Sequence, residues 1–118
     1  MLAEAEKPLC GSCHAAAVER QDRSLTKHTP IDDGECSTSH APHSSNAVFL
    51  LHEEEETDLC GACHDWQTHS THPIGPEVVD MRNQNLTMNC SSCHRVHGTE
   101  HKHMAHFDPS GPLCVECH

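Results

Sequence analysis

Cysteine and histidine recur along this chain in one fixed order, Cys-x-x-Cys-His. Two thiols separated by two residues lie on one side of a single turn, where each can add to a vinyl group of a haem. The histidine that follows is then held beneath the iron as an axial ligand. The pattern therefore predicts four haems, each held by two thioethers and one proximal imidazole. The cysteines are Cys10, Cys13, Cys60, Cys63, Cys90, Cys93, Cys114 and Cys117, and the proximal histidines are His14, His64, His94 and His118.

Two other uses of these cysteines explain the pattern less well. Structural zinc also takes C-x-x-C pairs, but it does not need the histidine after each pair. It would also leave ten of the fourteen histidines without a role. A disulfide framework fits poorly because the number of cysteines, nine, is odd.

An internal repeat relates the two halves of the chain. The interval from Cys36 to Cys60 is repeated between Cys90 and Cys114, and histidines match within it. The repeated unit reads C-x-x-(C/S)-H-x-x-H-x8-H-x7-C-x-x-C-H. The matched histidines are His40 with His94, His43 with His97, His52 with His106, and His64 with His118.

One copy of the motif is incomplete. Cys36-Ser-Thr-Ser39-His40 has a hydroxyl where the other copies have the second thiol. Three interpretations remain open. Cys36 holds a fifth haem by one thioether with His40 on the iron, or the site is lost and Cys36 is free or paired to another chain. The third is that Ser39 is engineered or mis-assigned.

Further histidines are available as distal ligands on the opposite faces of the irons. His43 and His97 lie three residues after a proximal position, and His52, His106 and His28 each lie eight residues before a motif cysteine. His69, His101 and His103 fit no repeated position. Methionine placement is not repeated, so we expect bis-histidine ligation, which sets lower reduction potentials than a methionine ligand does.

The stretch from Lys27-His28-Thr-Pro30 through His40-Ala-Pro42-His43 to Cys60-Gly-Ala-Cys63-His64 resembles the doubled-CXXCH module of multihaem c-type cytochromes. The stretch from His72-Pro73-Ile-Gly to His118 is similar to a second copy. The resemblance implies closely packed, mostly bis-histidine haems and adds His72 as a distal ligand. It implies electron transfer in the periplasm, on the cell surface or along extracellular cytochrome filaments.

The composition is unsuited to an ordinary hydrophobic core. Apolar residues make up 35% and aromatic residues 3% of 118 residues, so something other than side chains must supply the core, and bound cofactors are the natural candidate. We expect one multihaem domain over 1–118, comprising a single-haem segment 1–27 and doubled-motif units 28–64 and 72–118. Its fold should be mostly irregular, a small cytochrome c arrangement organised around a closely packed haem chain. Short helices are predicted at 48–58 and 76–88, and no window predicts a strand.

The charge restricts the partners. A net charge of −11 without a cluster of basic residues disfavours nucleic acid and anionic membranes. No stretch is long enough for a transmembrane helix, and the first residues of this sequence do not predict a signal peptide. Because this haem attachment occurs outside the cytoplasm, we expect a processed chain in the periplasm or outside the cell. Its expected partners are other redox proteins, copies of itself in a filament, or extracellular acceptors.

The function expected from these residues is electron transfer through four haems, or five if the Cys36-His40 site is occupied. The alternative is a multihaem reductase with one open haem site. Such enzymes resemble this family but often use a lysine as proximal ligand, and Lys7, Lys27 and Lys102 do not follow a C-x-x-C pair. Redox partners, individual potentials and the pairing of distal histidines do not follow from the sequence.

Overall fold

The fold is built from short helical turns joined by irregular chain. The structure is a computed structural model that describes residues 4–66 and 72–118; His69 therefore lies outside the described residues. Its helices have four to nine residues, and 3-10 turns occur at Cys36–Thr38, Val48–Leu50 and Lys102–Met104. The expectation of a mostly irregular chain with a few short helices is confirmed. The α-helices are α1 Glu6–Gly11, α2 Ala15–Arg23, α3 Thr29–Asp32, α4 Glu56–Gly61, α5 Cys90–Cys93 and α6 Pro112–Val115.

The segment predicted as a helix at 76–88 is a hairpin instead, so that prediction was wrong. Strand β1 (Val79–Asp80) pairs antiparallel with β2 (Asn83–Thr87), with an irregularity in register between Val79 and Asp80. Every residue of β2 is exposed. A strand exposed on both faces has no alternation of apolar and polar residues, which explains why the sequence pattern did not reveal it.

The helix predicted at 48–58 is divided. Phe49 and Leu50 have φ values of 57° and 55°, in the left-handed region that non-glycine residues rarely adopt. Helix α4 begins only at Glu56, where acidic side chains suit the positive end of the helix dipole. The run of four glutamates therefore leads into the first turn of a helix and does not lie along its middle.

The described residues contain almost no apolar core. Ala105 is the only buried apolar residue among them, at 1% exposure, and the other buried side chains are polar. Large apolar side chains lie on the surface, with Leu25 at 80% and Phe49 at 82% exposure. A radius of gyration of 15.2 Å compares with about 13.5 Å expected for a compact chain of this length. Side chains alone do not fill this fold.

The residues that follow helix α2 contact the second half of the chain. Thr26 and Thr99 form an antiparallel bridge, with hydrogen bonds of 2.9 and 3.1 Å in the two directions. Gly98 has a φ of +89°, and a Cβ there would lie 2.6 Å from Ser24 Oγ. Glycine is therefore required where the loop approaches the end of α2. The contact fixes His97, the residue before Gly98, against the first half of the molecule.

None of the helices in the described ranges is long and apolar enough to cross a membrane.

Candidate functional site

All five cysteine motifs adopt the same turn. In each, the backbone N–H of the histidine donates to the carbonyl of the first cysteine, at 2.8 to 3.1 Å. One hydrogen-bonded turn thus holds the two cysteine positions and the histidine close together. The incomplete motif keeps this turn, since His40 donates to Cys36 at 3.1 Å. The other four bonds run from His14 to Cys10, His64 to Cys60, His94 to Cys90, and His118 to Cys114.

Four of the five motifs are arranged in two pairs. Helix α1 packs on the turn Cys36–Thr38, and α4 packs on α5. Burial raises the pKa of the Cys36 thiol, and the neighbouring Cys10 thiol raises it further. In the second pair, burial and the neighbouring Cys90 thiol raise the pKa of Cys60 to about 12. The first cysteines of the two motifs in each pair are therefore neighbours.

In each pair, a glutamate beside one motif accepts two hydrogen bonds from a serine of the other. Ser37 donates its backbone N–H and its hydroxyl to Glu6, at 2.8 and 2.5 Å. Ser91 makes the same two bonds to Glu56, at 2.8 and 2.6 Å. The hydrogen bonds from Ser37 lower the pKa of Glu6. Sequence reasoning missed these residues, although both glutamates stand four residues before a motif cysteine.

Among the residues that the structure describes, three pairs of histidine rings lie at nearly the same separation. The ring centres of His28 and His64 are 6.2 Å apart. Those of His72 and His118 are 6.1 Å apart. The third pair joins His40 of the incomplete motif to His97, at 6.2 Å. Each pair combines one proximal position with one distal candidate from the sequence.

This separation matches two imidazoles bound to one iron. Ring centres on opposite faces of a metal should be about 6 Å apart, since each metal–nitrogen bond is about 2 Å and each ring centre lies about 1 Å beyond its nitrogen. The scarcity of buried apolar side chains in the described residues agrees with a cofactor as core. The residues present therefore fit haem.

Two proximal histidines are oriented by backbone carbonyls. His40 Nδ1 donates to the Phe49 carbonyl at 2.8 Å, and His94 Nδ1 donates to the His103 carbonyl at 2.7 Å. A carbonyl can only accept, so the proton is on Nδ1 and the lone pair is on Nε2. Metal-binding histidines are commonly fixed in this way. Phe49 and His103 both have a φ near +57°, a conformation uncommon for non-glycine residues, and their carbonyls accept these bonds.

The side chains of the distal candidates His52 and His106 are hydrogen-bonded to the backbone of other turns. Their Nε2 atoms donate to the carbonyls of Ser37 and Ser91, at 2.8 and 2.7 Å. Both therefore hold the backbone of an attachment turn. In this arrangement, Nδ1 is the nitrogen left for a metal. Their assignment as distal ligands stays a prediction.

His14 and His43 are both exposed, and neither forms a ring pair of this kind within the described residues.

Burial is greater at two other distal candidates, His28 and His97. It lowers the pKa of His28, with a smaller effect from His64. It also lowers the pKa of His97, with smaller effects from His40 and Arg20. Both imidazoles are thus favoured in the neutral form, which is the form that binds a metal.

An ion pair supports the attachment turn at Cys90. Arg82 donates to both oxygens of Asp80, at 3.0 and 2.7 Å, and also to the Ser92 carbonyl at 3.0 Å. The Asp80 side chain is 4% exposed, and its hydrogen bonds from Arg82 lower its pKa to about 2. Sequence reasoning missed this pair as well, because it lies in the hairpin that was predicted as a helix.

The zinc alternative has no geometric counterpart here. Over 4–66 and 72–118, no group of three or more His, Cys, Asp or Glu side chains is arranged to hold a metal ion. A structural zinc site needs four such ligands together.

Comparison with known proteins identifies the family. The family model described as the doubled CXXCH motif matches residues 28–69 and again 84–118. A search of curated proteins finds no match. The two matched stretches cover more than half of the chain and contain both doubled motifs. The chain thus belongs to the doubled CXXCH motif family of c-type cytochromes, whose motifs bind haem c covalently for electron transfer.

Proposed function

We propose that the chain is an electron conduit in which covalently bound haems are ligated by histidine on both faces. The observation that carries the proposal is the pairing of histidine rings at 6.1 to 6.2 Å, in which the proximal positions His40, His64 and His118 each face a distal candidate. A haem iron supplies one-electron chemistry between its ferrous and ferric states. With imidazole on both faces, no coordination position remains for a substrate. The chain therefore serves transfer in preference to catalysis.

The packing of the attachment turns supports haem-to-haem transfer. The first thiols of neighbouring motifs adjoin each other, Cys10 beside Cys36 and Cys60 beside Cys90. Macrocycles attached at adjoining thiols lie close together, which favours fast hopping. The glutamate bonds of Glu6 and Glu56 keep each pair of turns in contact.

The residues around each ligand have defined tasks. The carbonyls of Phe49 and His103 fix the tautomer of His40 and His94 and leave Nε2 for iron. The side chains of His52 and His106 hold the backbone of the neighbouring turns. Rigid ligands limit reorganisation when an iron changes its charge, as an electron carrier requires.

We further propose that the protein acts outside the cytoplasm, as a carrier or as a subunit of a cytochrome filament. Its charge of −11 would steer basic redox partners towards it. His14 and His43 support the filament, because both are exposed and outside the ring pairs of the described chain. Either ring is accessible for completing an iron site with a second copy.

The test is a spectrum of the protein purified with its haems attached. Electron paramagnetic resonance of the ferric form should contain only low-spin signals, because every iron has two strong-field imidazole ligands. A five-coordinate high-spin signal would contradict the proposal and favour the reductase. Sedimentation of the same sample between low and high protein concentration separates carrier from filament: reversible growth beyond the monomer supports the filament.

A further inference from the structure

The incomplete motif retains everything that a haem site needs except one thiol. Cys36, Ser39 and His40 correspond to Cys90, Cys93 and His94 at an offset of 54 residues. The histidine N–H bond that closes the turn is 3.1 Å in the first and 2.9 Å in the second. The incomplete motif therefore has the same backbone turn as a complete one.

The surrounding hydrogen bonds also coincide. The His52 N–H donates to the Ser39 carbonyl at 3.0 Å, as the His106 N–H donates to the Cys93 carbonyl at 2.9 Å. His40 forms a bridge with Leu51, as its counterpart does with Ala105. The backbone at Ser39 thus has the same hydrogen bonds as the backbone at Cys93, and the serine does not change the local fold.

The axial positions are complete. His40 has its Nδ1 proton fixed on a carbonyl, and its ring centre lies 6.2 Å from that of His97. His64 and His118 belong to complete motifs. The ring centre of His64 lies 6.2 Å from that of His28, and the ring centre of His118 lies 6.1 Å from that of His72. The ligand pair at the incomplete motif is therefore indistinguishable from the others in spacing.

The position of Cys36 argues against a disulfide. Its thiol adjoins that of Cys10, which suggests a bridge when viewed alone. However, Cys60 adjoins Cys90 in the same way, and both of these belong to complete motifs. Contact between first cysteines is thus how two attachment turns pack.

We propose that Cys36, His40 and His97 hold a fifth haem, attached by a single thioether. This inference rests on the proposed haem-binding function and deepens it. The Cys36 thiol adds across one vinyl group: a carbon–sulfur bond forms, the vinyl double bond becomes single, and the thiol hydrogen moves to the other vinyl carbon. No electrons are gained or lost. The second vinyl group remains intact beside Ser39, whose hydroxyl does not add.

The first experiment is the intact mass of the native holoprotein under denaturing conditions that remove any haem without a thioether. We expect the mass of the chain plus five haems. A mass with four haems overturns the fifth site and leaves the proposed function standing. A mass without haem overturns both.

Three variants sharpen the result. Cys36→Ser should lose one haem from the denatured mass and keep four. Cys93→Ser recreates the incomplete motif in the second module and should keep all five, because Cys90 suffices there as Cys36 does in the first. Ser39→Cys should also keep five and shift the α-band of one haem to shorter wavelength in the pyridine complex, since the residual vinyl group is consumed. If Ser39→Cys instead raises the count from four to five, the native site holds no covalent haem and the inference is wrong.

Discussion

The two doubled motifs, residues 36–64 and 90–118, have matching backbones and different attachment chemistry. Both place two residues in the left-handed region, Phe49 and Leu50 in the first and His103 and Met104 in the second. Both carry a bridge from the proximal histidine to an extended residue eleven positions later. They differ at Ser39, where the second module has Cys93. Under the proposed haem binding, the comparison separates two tasks: the backbone and histidines arrange the iron ligands, and the cysteines fasten the macrocycle.

A second difference concerns the distal ligands. The position equivalent to His28 in the second module is Arg82, which is bound to Asp80 and supports the turn at Ser92. The ring that lies opposite His118 is accordingly that of another residue, His72. The repeat therefore preserves the attachment turns more strictly than the residues that face them.

The largest expected effect is the loss of folding without haem in both modules. The chain produced in a cytoplasm that does not attach haem should lack a cooperative unfolding transition, because Ala105 is the only apolar residue buried in the described part. Circular dichroism during a urea titration measures this, with the holoprotein as control. A sigmoidal transition of the haem-free chain would contradict a cofactor core.

Axial ligands give the next effect. His97→Met replaces the distal candidate at the incomplete motif, and His72→Met replaces one at a complete motif. A methionine ligand raises the potential of a haem, and we expect a rise on the order of 0.1 V within the roughly 0.8 V range that axial ligands cover. Spectroelectrochemical titration should detect one raised potential in each variant.

His103→Met is the control for those two variants, since only the backbone carbonyl of His103 is used at a proximal histidine. Its potentials should equal those of the wild type. Unchanged potentials in His97→Met alone would mean that the first module does not use His97 as the second uses His72.

Gly98→Ala should weaken the contact between the N-terminal segment and the second module. A positive φ costs an alanine about 1–2 kcal/mol, and the added Cβ would also lie 2.6 Å from Ser24 Oγ. The urea midpoint of the holoprotein should fall. Gly75→Ala is the matched control because its φ is +127° but its Cβ would meet no atom within 4 Å. Equal losses in both variants would mean that the contact with Ser24 adds nothing.

Asp80→Asn tests the ion pair that exists only in the second module. The folded pKa of Asp80 is about 2, below its ordinary value of 3.8. Its stabilisation is therefore fully present above pH 4 and is lost as the pH falls through 2. The urea midpoints of variant and wild type should differ at pH 6 and converge near pH 2. A difference that persists unchanged in acid would assign the effect to packing and not to charge.

The smallest effects are expected at the two glutamate bonds. Glu6→Gln and Glu56→Gln each replace a carboxylate that accepts two hydrogen bonds from a serine. Each should lower the urea midpoint slightly and by a similar amount, because these groups are accessible to solvent. Clearly unequal losses would show that the two pairs of turns are not equivalent in energy.

Much of the candidate site follows from the sequence because its chemistry is local. A C-x-x-C-H stretch closes one turn whatever surrounds it, so the attachment cysteines and proximal histidines are readable from spacing alone. The hairpin at 79–87 was missed because β2 is exposed along its whole length and gives no alternating period. The glutamate bonds of Glu6 and Glu56 join residues 31 and 35 positions apart, beyond the reach of any local pattern.

The sequence by itself determined the haem chemistry, the repeat and the excess of histidines, since these depend on residue type and short spacing. Only the tertiary structure decided which histidines face each other. His40 and His97 lie 57 positions apart in the chain, and the bridge from Thr26 to Thr99 holds the second module against the N-terminal segment near them. Ligand pairs on opposite faces of an iron come from separate segments, so their pairing depends on long-range packing that residue spacing does not encode.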